Sequence, residues 1–167
     1  MNGSRDSNSR LIVRGFYQSH DLECNKYTSP LLTKINRCLN AVAENIGLKE
    51  DKLKIHNFWL NINYKKDFNI IHTHTGSVIS GIFYVDCPKN CGNLVFKNQN
   101  DDILRCYLRH SNLIGGMDYG FTQYTSEVWS VTPEENTLIM FPSWLEHYVE
   151  PNNSEQERIS IAFNCGT

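Results

Sequence analysis

The sequence lacks the features that would place the protein in a membrane or on a nucleic acid. Its 167 residues contain no apolar run near the length of about 18 residues that a bilayer-spanning helix needs. It has no basic stripe, and its formal net charge is −2. We therefore expect neither a membrane surface nor a nucleic acid as a partner.

An apolar leader segment is also missing. Residues 1–10 are rich in Asn, Ser and Arg, which does not match a secretory signal. They predict a disordered tail. The remaining residues 11–167 are enough for a single domain with its own hydrophobic core.

Clustered cysteines are absent as well. The six cysteines stand apart, except that Cys87 and Cys91 bracket a Pro-Lys-Asn turn. A structural zinc site would need a second close pair. Because nothing in the sequence indicates export, we expect free thiols and a cytoplasmic protein.

What the sequence does contain is one helical pattern followed by many short strand patterns. Ser29 as N-cap, Pro30 at the first helical position and Gly47 as the closing residue predict a helix over about residues 29–47. Short runs rich in β-branched and aromatic residues then alternate with turns. The predicted strands cover residues 54–64, 70–74, 78–85, 93–97, 128–131, 137–141 and 158–164. This order predicts a mainly β sandwich or barrel, over about 54–164, with helical cover.

Residues 98–127 interrupt the strand pattern. They are polar, contain the pair Gly115-Gly116 and show no strong periodicity. A stretch of this length is unusual in a compact domain unless it has a function. We interpret it as an inserted hairpin or an active-site lid that sets substrate specificity.

The histidines carry the main functional signal. His72 and His74 are two residues apart on a predicted strand, so their side chains would face the same way. His147 follows a distant predicted strand and could join them. Three imidazoles describe a metal centre, whereas a lone His-x-His pair could equally be two exposed side chains.

The last strand pattern indicates a polar pocket. In residues 158–164, Ile159, Ile161 and Phe163 alternate with a second face that begins with Arg158 and Ser160. An arginine presents a planar fork of donors suited to a carboxylate, and serine can add another donor. The alternative is a surface strand with a solvated arginine.

Four segments together resemble a known family. They are His72-Thr73-His74-Thr75-Gly76-Ser77, Ser80-Gly81-Ile82-Phe83-Tyr84-Val85, Phe141-Pro142-Ser143-Trp144-Leu145-Glu146-His147 and Arg158-Ile159-Ser160-Ile161-Ala162-Phe163-Asn164. Over roughly residues 58–164 the chain resembles the 2-oxoglutarate/Fe(II) oxygenases of bacteria and phages. These belong to the double-stranded β-helix superfamily, also called the jelly roll and shared with cupins.

The resemblance implies a function and a set of site residues. It implies an enzyme that uses Fe(II), 2-oxoglutarate and O₂ to hydroxylate a substrate C–H bond, releasing succinate and CO₂. His72 would take the place of the first metal histidine and His147 that of the distal one. Arg158 would pair with the C5 carboxylate of 2-oxoglutarate, with Ser160 in support and Tyr84 as a second cosubstrate contact.

The sequence departs from the family pattern at one position. The usual motif is His-x-Asp or His-x-Glu, whereas here the third metal ligand would be His74. A neutral imidazole in place of an anion leaves the native metal open. Other possibilities are that only one histidine of the pair binds, or that Asp86 or Glu146 supplies a carboxylate. Neither acid has the expected spacing, so His74 is the predicted ligand.

Two other functions stay open at the level of sequence. A cupin-type metal dioxygenase or isomerase would use similar histidines, but no glutamate follows His74 at cupin spacing, and a cupin does not predict the Arg158 and Ser160 pair. A non-catalytic jelly roll that binds a metal or a carboxylate is the third interpretation. The sequence does not indicate whether the substrate is a small molecule or a protein. It does not indicate the oligomeric state either.

Overall fold

The computed structural model of the chain describes residues 17–19, 21–49, 52–99 and 126–167. The predicted tail at 1–10 and most of the predicted lid, residues 100–125, lie outside the described residues. The elements are β1 (Tyr17–Gln18), α1 (Ser29–Asn45), β2 (Lys54–Asn63), β3 (Asn69–His72), β4 (Ile79–Asp86), β5 (Leu94–Lys97), β6 (Val128–Val131), β7 (Leu138–Pro142), β8 (His147–Val149) and β9 (Arg158–Gly166). In these residues, no helix has the length and apolar character to cross a membrane.

Helix α1 begins at Ser29, one residue earlier than the predicted cap at Ser29 implied. Thr28, not Ser29, is the N-cap, and the Asn25 side chain accepts the Thr28 backbone N–H at 3.2 Å. At the other end, Gly47 has a φ of +77°. The backbone N–H groups of Gly47 and Leu48 donate to the carbonyls of Glu44 and Ala43 at 3.1 and 2.8 Å. This Schellman arrangement satisfies the last carbonyls and ends the helix at Asn45, two residues before the predicted end.

The strands form two antiparallel sheets. The major sheet has the order β1-β2-β9-β4-β7, and the minor sheet has the order β3-β8-β5-β6. Sequence-distant strands therefore lie side by side, as when β9 pairs with both β2 and β4. This is the mainly β architecture with helical cover that the sequence predicts.

Each face of the major sheet packs against a different apolar cluster. On one face, Ile35 and Leu39 of α1 pack with Phe58 and Phe163, all at most 4% exposed. On the other face, Phe141 packs with Leu94 of the minor sheet. Helix cover and sheet-on-sheet packing together bury both faces, which stabilises the sheet mainly through apolar burial.

The sequence patterns did not predict two short strands, and the predicted range of a third strand extended too far. Strands β1 and β8, of two and three residues, are too short to give a periodic signal. Strand β3 ends at His72 and not at His74, because Thr75-Gly76 turns the chain, with a φ of +84° at Gly76. His74 therefore lies in the turn that follows the strand.

Candidate metal and cosubstrate site

Strand pairing brings two of the histidines together. His72 is the last residue of β3 and His147 the first residue of β8, and the two are register partners in the minor sheet. Their ring centroids lie 4.3 Å apart. The pairing explains why residues far apart in sequence converge at one point.

His74 reaches the same point from the turn. Its ring centroid lies 4.9 Å from that of His72 and 5.1 Å from that of His147. One nitrogen from each of the three rings lies within 4.8 Å of the others. The predicted convergence is present, but the strand alternation invoked for His72 and His74 is not its cause. The turn places His74 instead.

Backbone carbonyls orient two of the rings. Nδ1 of His72 hydrogen-bonds to the carbonyl of Ile70 at 2.7 Å, and Nδ1 of His147 to that of Leu145 at 2.8 Å. A carbonyl only accepts, so each Nδ1 carries the proton, and each Nε2 keeps the lone pair that a metal needs. Such second hydrogen bonds fix the tautomer and ring orientation of metal-binding histidines.

The surroundings keep all three rings neutral. Burial lowers the pKa of His72 below its ordinary value. Burial, with a smaller contribution from His72, lowers the pKa of His74 to about 4 and that of His147 to about 3. At neutral pH the imidazoles are therefore unprotonated, which is the form that coordinates metal ions.

A buried chain of hydrogen bonds holds the turn that carries His74. The backbone N–H of His74 donates to the carbonyl of Ser143 at 2.9 Å. The Ser143 hydroxyl contacts that of Ser80 at 2.8 Å, and Ser80 donates to Oδ1 of Asn164 at 2.7 Å. All three supporting side chains are at most 8% exposed. This role of Ser80 and Ser143 was not predicted, although a serine inside the apolar pattern of β4 is a signal of it.

The alternative carboxylate ligands lie elsewhere. Glu146 forms an ion pair with Lys97 at 3.4 Å, and Asp86 is an exposed residue at the end of β4. Within the described ranges, the group able to hold a metal consists of His72, His74 and His147. The structure therefore favours the all-histidine alternative over a carboxylate from either acid.

Arg158 is buried and incompletely paired. Only 1% of it is exposed, which excludes the solvated surface arginine considered above. Nη1 donates to the carbonyls of Cys91 and, at 3.4 Å, Glu150, while Nη2 has no hydrogen-bond partner among the residues that the structure describes. Burial lowers the pKa of the guanidinium. No ion pair to Arg158 occurs in the described part of the chain.

Tyr84 and Ser160 stand beside this arginine. They are register partners on β4 and β9, and both are at most 1% exposed. The Tyr84 hydroxyl is buried and has no hydrogen-bond partner within the described ranges, and burial raises the pKa of that phenol. The predicted cosubstrate residues thus share one face of the major sheet, since Arg158 and Ser160 alternate on β9.

The histidines and the arginine face the same interior. Trp59 is the register partner of Ala162, which lies on the same face of β9 as Ser160. Phe163 lies on the other face of β9 and packs against the helix, so Trp59 and Ser160 are on the face of the major sheet opposite the helix. The Trp59 ring lies 6.4 Å from that of His74. On the same face, the ring of Phe141 lies 4.6 Å from that of His147. Three imidazole nitrogens and a buried cationic donor group therefore line the space between the sheets.

The fold and the site together describe a mainly β protein with a cluster of three histidines and a buried, incompletely paired arginine. A comparison with protein-family profiles matches residues 57–164, about two thirds of the chain, to the family described as "Putative 2OG-Fe(II) oxygenase". The chain belongs to this family of 2-oxoglutarate/Fe(II) oxygenases and is an oxidoreductase. Fe(II), 2-oxoglutarate and O₂ are the cofactor and cosubstrates of this class, as predicted.

Solved structures support the fold at low sequence identity. An oxidoreductase of the 2OG-Fe(II) oxygenase family from Burkholderia pseudomallei is 13% identical, with 90% of this chain and 66% of that chain covered and a TM-score of 0.63. A prolyl-4-hydroxylase from Pseudomonas putida is 14% identical, with 97% and 76% covered and a TM-score of 0.60. A viral collagen prolyl hydroxylase from Paramecium Bursaria Chlorella virus-1, solved as a 2OG complex, is 12% identical, with 95% and 80% covered and a TM-score of 0.59.

These likenesses confirm the predicted double-stranded β-helix fold, and the profile match confirms the predicted family and enzyme class. The chain spans about two thirds of the length of the Burkholderia structure. No curated protein matches it in a sequence comparison. The roles predicted for individual site residues stay predictions.

Proposed function

We propose that His72, His74 and His147 hold Fe(II), and that Arg158, Tyr84 and Ser160 bind the C5 carboxylate of 2-oxoglutarate. The donor set fits these groups. Three neutral imidazoles within 4.8 Å of one another suit a divalent transition metal. The reaction proposed is hydroxylation of a C–H bond of a small-molecule or protein substrate.

The observation that carries this proposal is the unpaired, buried end of Arg158. An uncompensated buried charge is strongly unfavourable, so folds retain one where a ligand completes it. Nη2 of Arg158 and the Tyr84 hydroxyl are both buried, and neither has a hydrogen-bond partner in the described part of the chain. A carboxylate accepts from both and neutralises the guanidinium. A cupin-type activity does not account for these groups.

When bound, Fe(II) with 2-oxoglutarate supplies the oxidising chemistry, which converts 2-oxoglutarate and O₂ to succinate and CO₂ and hydroxylates the substrate. The residues of the chain have simpler tasks. His72 and His147 would present Nε2 to the metal through their fixed tautomers, and Arg158 with Tyr84 would fix the far end of the cosubstrate. The apolar side chains of Phe96 and Phe141 limit water beside His147.

Succinate formation tests the proposed function. The purified chain with Fe(II), 2-oxoglutarate and O₂ is expected to form succinate, at least slowly without the true substrate, and His147→Ala is expected to form none. Metal loading without any 2-oxoglutarate binding or turnover would instead favour the non-catalytic jelly roll. Replacing Fe(II) with Zn²⁺ is the matched control, because Zn²⁺ has no redox chemistry.

The setting of the protein is also a proposal. We propose a cytoplasmic enzyme, supported by the free thiols of the cysteines in the described ranges. A net charge of −2 supports a substrate other than nucleic acid. An origin in a bacterium or a phage stays a prediction.

A further inference from the structure

Three buried polar atoms in the described part of the chain lack a hydrogen-bond partner. They are Nδ2 of Asn63, the hydroxyl of Tyr84 and Nη2 of Arg158. Buried polar groups are nearly always hydrogen-bonded, so each exception needs an explanation. All three can act as donors, and two of them belong to the proposed carboxylate pocket. Asn63 has no role in the site described so far.

The sheet register places Asn63 beside the other two. Asn63 on β2 is the register partner of Arg158 on β9, and Tyr84 on β4 is the register partner of Ser160. Side chains of directly opposed residues lie on the same face, with Cβ atoms about 4.5–5.5 Å apart. The three unpartnered groups thus come from adjacent strands and occupy one corner of the interior.

The hydrogen bonds of Arg158 leave part of a bound carboxylate free to accept from a further donor. A guanidinium commonly binds a carboxylate through two parallel N–H bonds. Here Nη1 is engaged by the carbonyls of Cys91 and Glu150, which leaves Nη2 as the unpaired terminal nitrogen. A carboxylate has about four lone-pair sites, so Nη2 and the Tyr84 hydroxyl do not saturate it. An amide N–H is suited to one of the remaining sites.

We propose that the side-chain amide of Asn63 donates to the distal carboxylate of the 2-oxo acid cosubstrate and selects for a dicarboxylic acid. The proposal rests on the function proposed above. Asn63 is 2% exposed, so its amide would otherwise lose its hydrogen bonds to water without replacement.

The backbone of Asn63 is held independently of its side chain. Asn152, which is fully buried, donates through Nδ2 to the Asn63 carbonyl at 3.0 Å. Removal of the Asn63 amide therefore leaves this anchor in place. Two variants follow from the geometry: Asn63→Leu removes the donor at similar size, and Asn63→Asp places a carboxylate beside Arg158.

The test measures 2-oxoglutarate binding by anaerobic titration of the Fe(II)-loaded full chain, together with metal affinity and ligand-free thermal stability. Loss of one hydrogen bond to a charged group is expected to weaken binding in Asn63→Leu by about 10- to 100-fold. Asn63→Asp is expected to weaken it further and to raise ligand-free stability, because the new carboxylate pairs with Arg158. Metal affinity and the weak binding of pyruvate, which lacks the second carboxylate, are expected to stay unchanged.

Each other outcome decides against the proposal. Unchanged 2-oxoglutarate affinity in both variants, with normal binding by the parent, overturns the role of Asn63 and leaves the proposed function standing. A parallel loss of metal, pyruvate and 2-oxoglutarate binding assigns Asn63 a structural role only. A parent chain that binds metal but no 2-oxoglutarate overturns both proposals. Should Asn63→Leu fail to fold, Asn63→Ala removes the same donor with a smaller side chain and is judged by the same measurements. Asn45→Leu makes the same replacement of an amide by an apolar side chain at the exposed end of α1, and it serves as the control for that replacement.

Discussion

Arg158→Met separates the binding of cosubstrate from the stability of the fold. The substitution removes a buried guanidinium with an unpaired Nη2 and replaces it with an apolar side chain of similar reach. We expect the affinity for 2-oxoglutarate to fall sharply, while the fold and the metal affinity are retained. A residue that served only the fold would show the opposite pattern.

The magnitudes follow from the contacts of Arg158. Removing one partner of a buried charge pair costs about 2–5 kcal/mol of binding free energy, or roughly 30- to several thousand-fold in Kd. For the ligand-free protein, replacing an incompletely paired buried charge is neutral or stabilising by about 1–4 kcal/mol. Leaving the carbonyls of Cys91 and Glu150 unpaired costs about 1–3 kcal/mol in return. The free energy of unfolding should therefore change by no more than about 3 kcal/mol in either direction.

The assay is anaerobic titration of the Fe(II)-loaded protein with 2-oxoglutarate, which follows the weak visible charge-transfer band of the chelate. Denaturant unfolding of the ligand-free protein measures stability in parallel. Arg158→Lys, which keeps the charge but not the planar fork, should fall between the parent and Arg158→Met. Parent-like 2-oxoglutarate affinity in Arg158→Met would refute the carboxylate pocket. A large loss of stability in the ligand-free protein would show that the arginine is structural.

Three further predictions concern the metal site and the core. His147→Ala should lower metal affinity by about 100-fold or more, measured by calorimetric titration, and unchanged affinity would contradict its role as a ligand. Ser80→Ala should lower the free energy of unfolding by about 1–3 kcal/mol, because it removes the Ser80 hydroxyl that bonds to the buried side chains of Ser143 and Asn164. A stability equal to that of the parent would contradict this. Gly81→Ala should destabilise the fold by about 1–3 kcal/mol, because its Cβ would lie 2.2 Å from Cζ of Phe163. Phe163→Leu in the same chain should recover part of that loss, and equal losses in the single and double variants would rule out the clash.

Sequence reasoning predicted the fold where a pattern extended over many residues. The apolar stripe of α1 marks the face that packs on the sheet, and the alternation that begins at Arg158 separates the apolar face of β9 from its polar face. Strand β8 contains only His147–Val149, too few residues for any period to register. Its existence depends on pairing with β3 and β5, which only the folded chain provides.

The sequence predicted which residues form the candidate site, but not the local structures that place them. His72 and His74 converge, yet β3 stops at His72 and a turn held by Ser143 places the second ring. Arg158 was predicted on a polar face, but the hydrogen bond that occupies its Nη1 comes from the carbonyl of Cys91, 67 positions away. Such contacts involve sequence separations that no local pattern encodes.

The proposed activity depends on three imidazoles that share one metal while Arg158 receives the far carboxylate of the cosubstrate. A crystal structure of the chain grown anaerobically with Fe(II) and 2-oxoglutarate tests it most directly. We predict one metal ion bonded to Nε2 of His72 and His147 and to a ring nitrogen of His74, at about 2.0–2.2 Å. The C5 carboxylate should lie within hydrogen-bond distance of Nη2 of Arg158. A metal bound at another place, or 2-oxoglutarate with that carboxylate in solvent, would contradict the claim.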